Sequence, residues 1–386
     1  MMDYLYYFLL VILASYLSMT MVIFVVLARV KGKERRVKSE ERKVKSEEWI
    51  VKSEKKVSVL IAARNEEDNI IRCLQALVDQ NYPKDKIQIL VGDDDSDDKT
   101  ASLVKAFIVK HPHIELVSIE PSALSNLKGK PNVLATLFKK VTGEFAFITD
   151  ADISVNPDWI KGMLLGLQRE GADAASGTTF VAHQNNFHLF QTFEWMEALG
   201  FMYTADQLHL QVTAVGNNMV ISKAAYDAVG GYEAIPFSVT EDLDLYLALK
   251  KKNYIHRLFL GAEALVWTQP LDTFKDLFKQ RKRWLKGVER TPWLCQFYLG
   301  VHSVFALFIV ALGCFDLLDG ICLFFFSFII HIVRVYLMCK VTGVPFKNSW
   351  LSHLLILDIY QTIFNVCLLV YFVLPTGVEW KKRRYV

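Results

Sequence analysis

From Tyr4 to Ala28 the chain is almost continuously apolar, a run that water-soluble folds rarely accommodate. A helix of this length is sufficient to cross the hydrocarbon core of a bilayer. Arg29, Lys31, Lys33, Arg35 and Arg36 come immediately after it. A cleaved leader would carry its positive charge ahead of the apolar run and a small-residue cleavage site behind it, and neither is present. The excess of Lys and Arg behind the segment predicts that the chain enters the cytoplasm there, with the N-terminus outside. Residues 1–30 are therefore expected to form a transmembrane signal anchor.

The other end of the chain is apolar as well. Residues 291–386 are expected to form a membrane region with a basic tail. Phe297 to Met338 suits two crossings joined by a tight turn near Asp316, Asp319 and Gly320. Trp350 to Leu374 carries Asp358, Gln361 and Asn365, and intramembrane polar groups face protein or a cavity. A third full crossing would also leave Lys381 to Arg384 outside, against the positive-inside rule. That stretch is accordingly expected to be re-entrant or interfacial, with the tail cytoplasmic.

Between anchor and domain, residues 31–56 contain VKSE at Val37, Val44 and Val51, a period of seven. One valine per heptad is too thin a seam for a coiled coil. A charged, solvated linker is the expectation, and its basic excess can hold it near anionic headgroups.

Residues 57–290 alternate strand with helix. VSVLIAA from Val57 reads as a buried strand; Ile70, Ile71, Leu74, Leu77 and Val78 recur at helical spacing after a possible Asn65 cap. Ile87 to Val91, IELVSI and FAFIT read as further strands, with a helix after Pro131. Such alternation predicts an α/β domain with a mostly parallel sheet covered on both faces. Ligands of these sheets sit at the carboxyl ends of the strands. Two acidic strings stand there: GDDDSDD from Gly92, and Asp150-Ala151-Asp152.

Five carboxylates in the six residues Asp93–Asp98 invite a calcium reading, which fails. A loop starting at Asp93 would need glycine at position six and glutamate at position twelve, where Asp98 and Val104 stand. Asp97 and Asp98 suit the start of the next helix; Asp93 and Asp94 precede it and need another account. Asp150 and Asp152, one residue apart at a strand end, can hold a divalent cation that in turn binds a diphosphate. Thr240-Glu241-Asp242 opens a helix, with Thr240 as its expected cap. Gln280-Arg281-Lys282-Arg283-Trp284 lies on an amphipathic helix from Leu271 to about Arg290, whose lysines beside an apolar face suit a membrane interface. Phe187 to Tyr203, dense in Phe, Trp and Met, reads as a second interfacial helix or as a core helix.

Taken in order, ARNEE (Ala63 to Glu67), GDD, DAD, TED and QRKRW resemble the membrane-bound branch of the family 2 glycosyltransferases. That branch includes ceramide glucosyltransferases and the cellulose, chitin and hyaluronan synthases. The resemblance covers roughly Val57 to Arg290 and implies a GT-A fold. It implies transfer from a nucleotide sugar, usually UDP-linked, with inversion at the anomeric carbon. Asp242 matches the family's base; Asp150 and Asp152 match its holders of Mg2+ or Mn2+ on the diphosphate. Ala63, Glu66, Asp93, Asp94, Lys130 and Asp150 fall at nucleotide-binding positions. Glu241, Gln280, Arg283 and Trp284 fall along the diphosphate and acceptor entrance. Two departures occur: Ala62 stands where the family often has proline, and Asp95 where it often has glycine.

The expected partners are a nucleotide-sugar donor, a lipid or glycan acceptor and the membrane. No basic nucleic-acid footprint is present at a net charge of +3. The expected location is the plasma membrane of a bacterium, with the catalytic domain cytoplasmic. Six cysteines without CxxC pairing and nine histidines without HExxH spacing give no zinc site. Few crossings favour a single transfer to a lipid over a processive polysaccharide synthase. Intact DAD, TED and QRKRW strings speak against an inactive scaffold subunit.

Overall fold

The structure, a computed structural model, describes residues 2–43, 55–119, 127–210, 214–373, 378–380 and 383–385. A seven-stranded sheet has the order β3-β2-β1-β4-β8-β6-β9. Its strands are β1 (Val57–Ala63), β2 (Ile87–Asp93), β3 (Ile114–Ser118), β4 (Phe145–Asp150), β6 (Ala174–Ser176), β8 (Asn218–Ser222) and β9 (His256–Leu258). All neighbouring pairs run parallel except those made by β8, which is antiparallel to β4 and β6. A small second sheet has the order β5-β10-β7, from Ser154–Val155, Leu265–Thr268 and Thr178–Val181.

Alternation along β1 divides two cores. Val57, Val59 and Ile61 face one side, where α2 (Ile70–Val78) and α5 (Trp159–Glu170) pack. Leu60 faces the other, under α4 (Lys130–Phe138). Both faces are covered, so these strands read as continuous apolar runs. Gly92 of β2 permits the close approach of α4, since a Cβ there would collide with Val133 Cγ1. Pro131 sits in the first turn of α4, where its missing N–H costs no hydrogen bond. Helix α3 (Thr100–Ile108) comes after β2.

A third core joins the domain to apolar helices. Helix α6 (Asn186–Gln207) lies between β7 on one side and α1 (Met2–Lys43) and α12 (Leu317–Thr342) on the other. Phe193, Met196 and Leu199 are fully buried there, with Leu27 of α1 and Met338 of α12. The Phe187–Tyr203 segment is therefore a core helix rather than an interfacial one: its aromatics meet protein. Remaining helices are α7 (Lys223–Ala228), α8 (Glu241–Lys251), α9 (Phe274–Val288), α10 (Trp293–Ser303), α11 (Phe305–Phe315), α13 (Leu351–Leu355) and α14 (Leu357–Val373).

Among the described residues, two helices are long and apolar enough to cross a membrane, over Tyr4–Val30 and Leu317–Thr342. Two bent pairs bring the number to four if each is one span: α10 with α11 at 64°, and residues 348–355 with α14 at 50°. The expected turn at Asp316 is present, and its carboxylate caps α12 by accepting from the Leu318 and Asp319 N–H groups. The leg before that turn is broken at Val304 instead of running straight. Helix α1 continues to Lys43, into the segment read as linker; Val44 and Val51 of the repeat lie outside the described residues. A hairpin of β11 (Val378–Trp380) and β12 (Arg383–Tyr385) lies beside α9.

Candidate active site

The acidic strings converge because β1, β2 and β4 end together. Ala63 is in register with Asp93, and Ala62 with Asp150. The loops after β1 and β2 are laced to each other. Asn65 N–H donates to Ser96 Oγ (3.1 Å), Asp97 N–H to Asn65 Oδ1 (3.0 Å) and Glu67 N–H to Asp98 Oδ2 (3.1 Å). Glu66 N–H reaches Thr100 Oγ1 at 2.8 Å, and the Glu66 carboxylate accepts from Asn69 Nδ2 at 2.9 Å. Asn65 therefore ties two loops and does not cap α2, which begins at Ile70. Its φ of 52° shows why an asparagine stands there. Asp95, where the family often has glycine, has φ 59°, the left-handed region that glycine adopts without strain. Asp98 does start α3, accepting from Thr100 N–H at 2.8 Å.

Asp93 and Asp94 are both buried. Asp94 N–H extends the sheet by donating to Ala63 C=O at 2.9 Å. Asp93 Oδ1 is buried without a hydrogen-bond partner among the described residues. An unmet buried acceptor is costly and marks a place where a ligand donor fits.

Lys130, 9% exposed at the start of α4, binds two of the other carboxylates. Its Nζ lies 2.7 Å from Asp150 Oδ1 and 3.2 Å from Glu241 Oε1. Burial by itself would lower the lysine's pKa, but Asp150 and Glu241 outweigh it and raise it, so the ammonium stays charged. Asp152 is fixed by Thr268 Oγ1 donating to Oδ2 at 2.8 Å, and by Arg72 donating to its backbone carbonyl at 2.8 Å. Among the described residues no three His, Cys, Asp or Glu side chains form a complete metal cage. Two oxygen-donor carboxylates fit a hard divalent cation provided that phosphate oxygens complete its shell.

Asp242 opens α8. Its Oδ2 accepts from Gly216 N–H at 2.9 Å and its Oδ1 from Leu243 N–H at 2.8 Å. A side chain at residue 216 would displace it, as a Cβ there would stand 2.7 Å from Asp242 Cβ. Burial and the adjacent Glu241 raise the Asp242 pKa to about 6, against the opposing pull of Lys130 and the two N–H groups. A carboxyl so tuned is a serviceable proton acceptor near neutral pH. Thr240 stands at the N-cap but makes no capping bond; its hydroxyl lies 3.0 Å from that of Ser238.

Arg283 shares a small cleft with Lys130 and Glu241, walled by Phe237 and Ser238. Gln280 and Trp284 face elsewhere on α9, whose observed start is capped by Thr273. Gln280 Oε1 accepts from Arg281 Nη1 at 2.5 Å. The Arg281 guanidinium stacks 4.2 Å above Trp284 and pairs with Glu194 of α6 at 3.0 Å. Trp284 meets Trp195 at a centroid separation of 4.7 Å. Lys282, read as an interfacial lysine, is instead buried and donates to the Tyr371 carbonyl at 3.1 Å. Its face of α9 packs on α14, not on lipid.

Sequence reading did not find Gly216, Thr268, Arg72 or Glu194. The first three reach the site from segments distant in sequence. Glu194 had a signal, an acid in an aromatic-rich helix, which is the mark of a specific partner.

Residues 55–287 match the family described as Glycosyltransferase like family 2. A "Probable glycosyltransferase YdaM" of Bacillus subtilis is 30% identical over 249 residues, 63% of this chain and 58% of that protein. A "Beta-monoglucosyldiacylglycerol synthase" of Synechocystis is 25% identical over 66% of this chain and 53% of its own length. A "Poly-beta-1,6-N-acetyl-D-glucosamine synthase" of Staphylococcus epidermidis is 25% identical over 60% and 54%. The matched regions thus span a little over half of these relatives. In fold, the chain is similar to a mannosyltransferase of Pyrobaculum calidifontis in complex with GDP-Man and Mn2+ (TM-score 0.52, 16% identity, 93% of this chain and 99% of that one). A GT-A-like sheet, acidic strand ends and a family match over more than half the chain lead to one conclusion: this protein belongs to the glycosyltransferase like family 2.

Proposed function

We propose that the protein is a membrane-bound, inverting glycosyltransferase that moves one sugar from a nucleotide sugar, of the UDP type, to a lipid or lipid-linked acceptor. The observation that carries this reading is Asp242, a carboxylate with its pKa raised to about 6, set beside the Lys130–Asp150–Glu241 cluster at the sheet edge. In one displacement the acceptor oxygen bonds to the anomeric carbon as the bond from that carbon to the diphosphate oxygen breaks. The acceptor proton goes to Asp242, and the nucleoside diphosphate leaves with the electron pair.

Asp93, with its unmet Oδ1, fits the donor N–H of a base such as uracil; Asp94, Glu66 and the Ala63 backbone complete that wall. Asp150 and Asp152 would hold Mg2+ or Mn2+, which supplies Lewis-acid neutralisation of the diphosphate. Lys130 and Arg283 add fixed positive charge on the same side, the arginine with a fork suited to phosphate. Gln280 and Trp284 line the acceptor entrance. The two long apolar helices and the two bent pairs support a membrane attachment. The hairpin beside α9 supports a C-terminal segment on the catalytic, cytoplasmic side of a bacterial plasma membrane. The relative named as a glucosyldiacylglycerol synthase supports a lipid acceptor. The relative named as a polymer synthase keeps a processive reaction as the second reading.

The test is to incubate the purified protein with labelled UDP-sugars and a lipid extract, with and without EDTA. A lipid-soluble product carrying one sugar, abolished by EDTA, is the expected outcome. A high-mass polymer would replace this reading with the processive one. Transfer that persists in excess EDTA would remove Asp150 and Asp152 from metal binding.

A further inference from the structure

A cavity of about 100 Å³ lies at the β9 edge of the main sheet, where α1 leaves its apolar span. Val30, the last residue of that span, lines it together with Tyr203 of α6, and both are buried. The two helices run close together here: three residues earlier on each, a Cβ on Gly200 would stand 3.4 Å from Leu27 Cδ1. The remaining lining comes from α5 and the chain from β9 to Ala264. Gly162 and Gly166 permit their close approach, since a Cβ on the first would collide with Glu263 and on the second with Phe259. Strands β8 and β6 separate β9 from β4, which carries Asp150, and none of the described donor-site residues lines the cavity.

The lining carries charge of both signs: Arg169 and Arg257, with Glu170 and Glu263. Arg257 is short of acceptors. Its Nη1 stands 3.9 Å from Asp206 Oδ1, beyond hydrogen-bond reach, and has no hydrogen-bond partner among the described residues. The side chain is 17% exposed and lines the cavity, which places an undersupplied guanidinium beside the space. An unmet buried donor is costly, and phosphate oxygens are acceptors that a guanidinium fits well. A bare anion is a poor occupant all the same, because Glu170 and Glu263 would repel it. A group with a phosphodiester and an ammonium two carbons apart meets both signs, its N–H donors going to carboxylates that only accept. Pockets that enclose whole small ligands hold about 300–1,000 Å³, so this one takes a headgroup and leaves the rest of the molecule outside.

We propose that this cavity binds the phosphoethanolamine headgroup of a bilayer lipid at the level where α1 leaves the membrane, with Arg257 on the phosphate and Glu170 and Glu263 on the ammonium. The assignment rests on the membrane attachment proposed above. A lipid held there joins α1 and α6 to α5 and the β9 edge, and so fixes the catalytic domain against the bilayer. The basic residues after Val30 (Lys31, Lys33, Arg35 and Arg36) attract anionic lipid without regard to headgroup shape. The cavity adds selection for a zwitterionic one.

The experiment uses the full chain in neutral dodecylmaltoside micelles, adds dioleoylphosphatidylethanolamine or dioleoylphosphatidylglycerol, and follows retained lipid by native mass spectrometry. One phosphatidylethanolamine should be held at least about fivefold more tightly than phosphatidylglycerol. Arg257→Gln should weaken that binding about tenfold, the loss of a charge-assisted hydrogen bond. Glu170→Gln combined with Glu263→Gln should abolish the preference while Arg257 still holds the phosphate. Glu263 is exposed, so this second variant decides the matter even if Arg257→Gln does not fold. Equal or tighter binding of phosphatidylglycerol by the parent, or an unchanged preference in the double variant, overturns the proposal. Displacement of the lipid by soluble phosphoethanolamine at equal concentration would overturn the lipid as its source. Flotation with liposomes separates the two readings. A chain that does not float overturns the membrane attachment and this site with it, whereas one that floats without the preference overturns this site alone.

Discussion

Six carboxylates (Asp93, Asp94, Asp150, Asp152, Glu241 and Asp242) stand at the carboxyl ends of the strands and the start of α8; Asp150 and Glu241 hold the buried Lys130, and Asp242 has its pKa raised to about 6. Between the apolar helices, Glu197 and Asp358 are instead matched by His331 and Arg334. Ser327, Gln361 and Thr20 supply further bonds. The first cluster is short of positive charge and holds an unmet oxygen. The second has its carboxylates matched by cations, leaving Arg334 Nε and Gln361 Oε1 without a partner among the described residues, and ties α6 to α1, α10, α12 and α14. An incomplete cluster is fit to receive a cation-bearing diphosphate and a proton. A charge-matched one is fit to fix how the catalytic domain sits on its helices, since losing a cation leaves a buried carboxylate poorly compensated.

The sharpest test exchanges the two kinds of loss. Asp242→Asn should lower kcat by about 10³-fold while UDP-sugar affinity, measured by calorimetry, stays within a factor of a few. Lost donor binding would take Asp242 out of the base role. His331→Leu should do the opposite, costing about 3–5 kcal/mol of stability by leaving Asp358 without its cation and Glu197 with only His302 and Arg334. Thermal unfolding in detergent measures that cost. A variant that melts like the parent but no longer transfers sugar would break the division between chemistry and assembly.

Acidity sharpens the same contrast. With Asp242 titrating near 6, kcat/KM should be flat above that pH and fall tenfold per unit below it. Lys130 opposes the raised pKa, so Lys130→Met should move the midpoint upward. Stability carries the reverse sign. A carboxyl whose folded pKa is raised burdens the fold above its unfolded value near 4, and fully so above 6. Asp242→Asn should therefore stabilise the protein at pH 7.5 by about 1–2 kcal/mol, and by nothing at pH 4. Equal stability at both pH values would show that Asp242 is not perturbed.

The edge was legible in the sequence and the inter-helix cluster was not, for a physical reason. Strands buried on both faces read as apolar runs, and ligand groups collect at their ends as adjacent letters, so Asp93 and Asp150 stand out, while Asp242 stands in the acidic string that opens α8. The other cluster takes single residues from Thr20, Glu197, His302, His331, Arg334 and Asp358, which no window joins. The Glu194–Arg281 pair spans 87 positions. Aromatic density in α6 and lysine spacing in α9 misled in a common way, because protein and lipid are equally apolar neighbours. Asn65 misled through its backbone, since a positive φ leaves no mark in composition.

The smallest expected effect is at Asp95, where backbone and charge can be separated. Asp95 adopts φ 59°, is 74% exposed at its side chain and lies 3.9 Å from Arg64. An exposed pair at this distance contributes little. The backbone, not the charge, then explains why glycine and aspartate are the residues this position takes. Asp95→Gly should leave donor affinity unchanged and alter stability by less than about 1 kcal/mol, as strain relief offsets added chain entropy. Asp95→Val should cost about 1–2 kcal/mol, because a β-branched residue resists the left-handed region. It should also loosen the laced loops that carry Glu66 and Asp94, and so weaken UDP binding. If Asp95→Gly alone weakened UDP binding, the carboxylate itself would belong to the nucleotide site, and the sheet edge would hold one more charge in need of a partner.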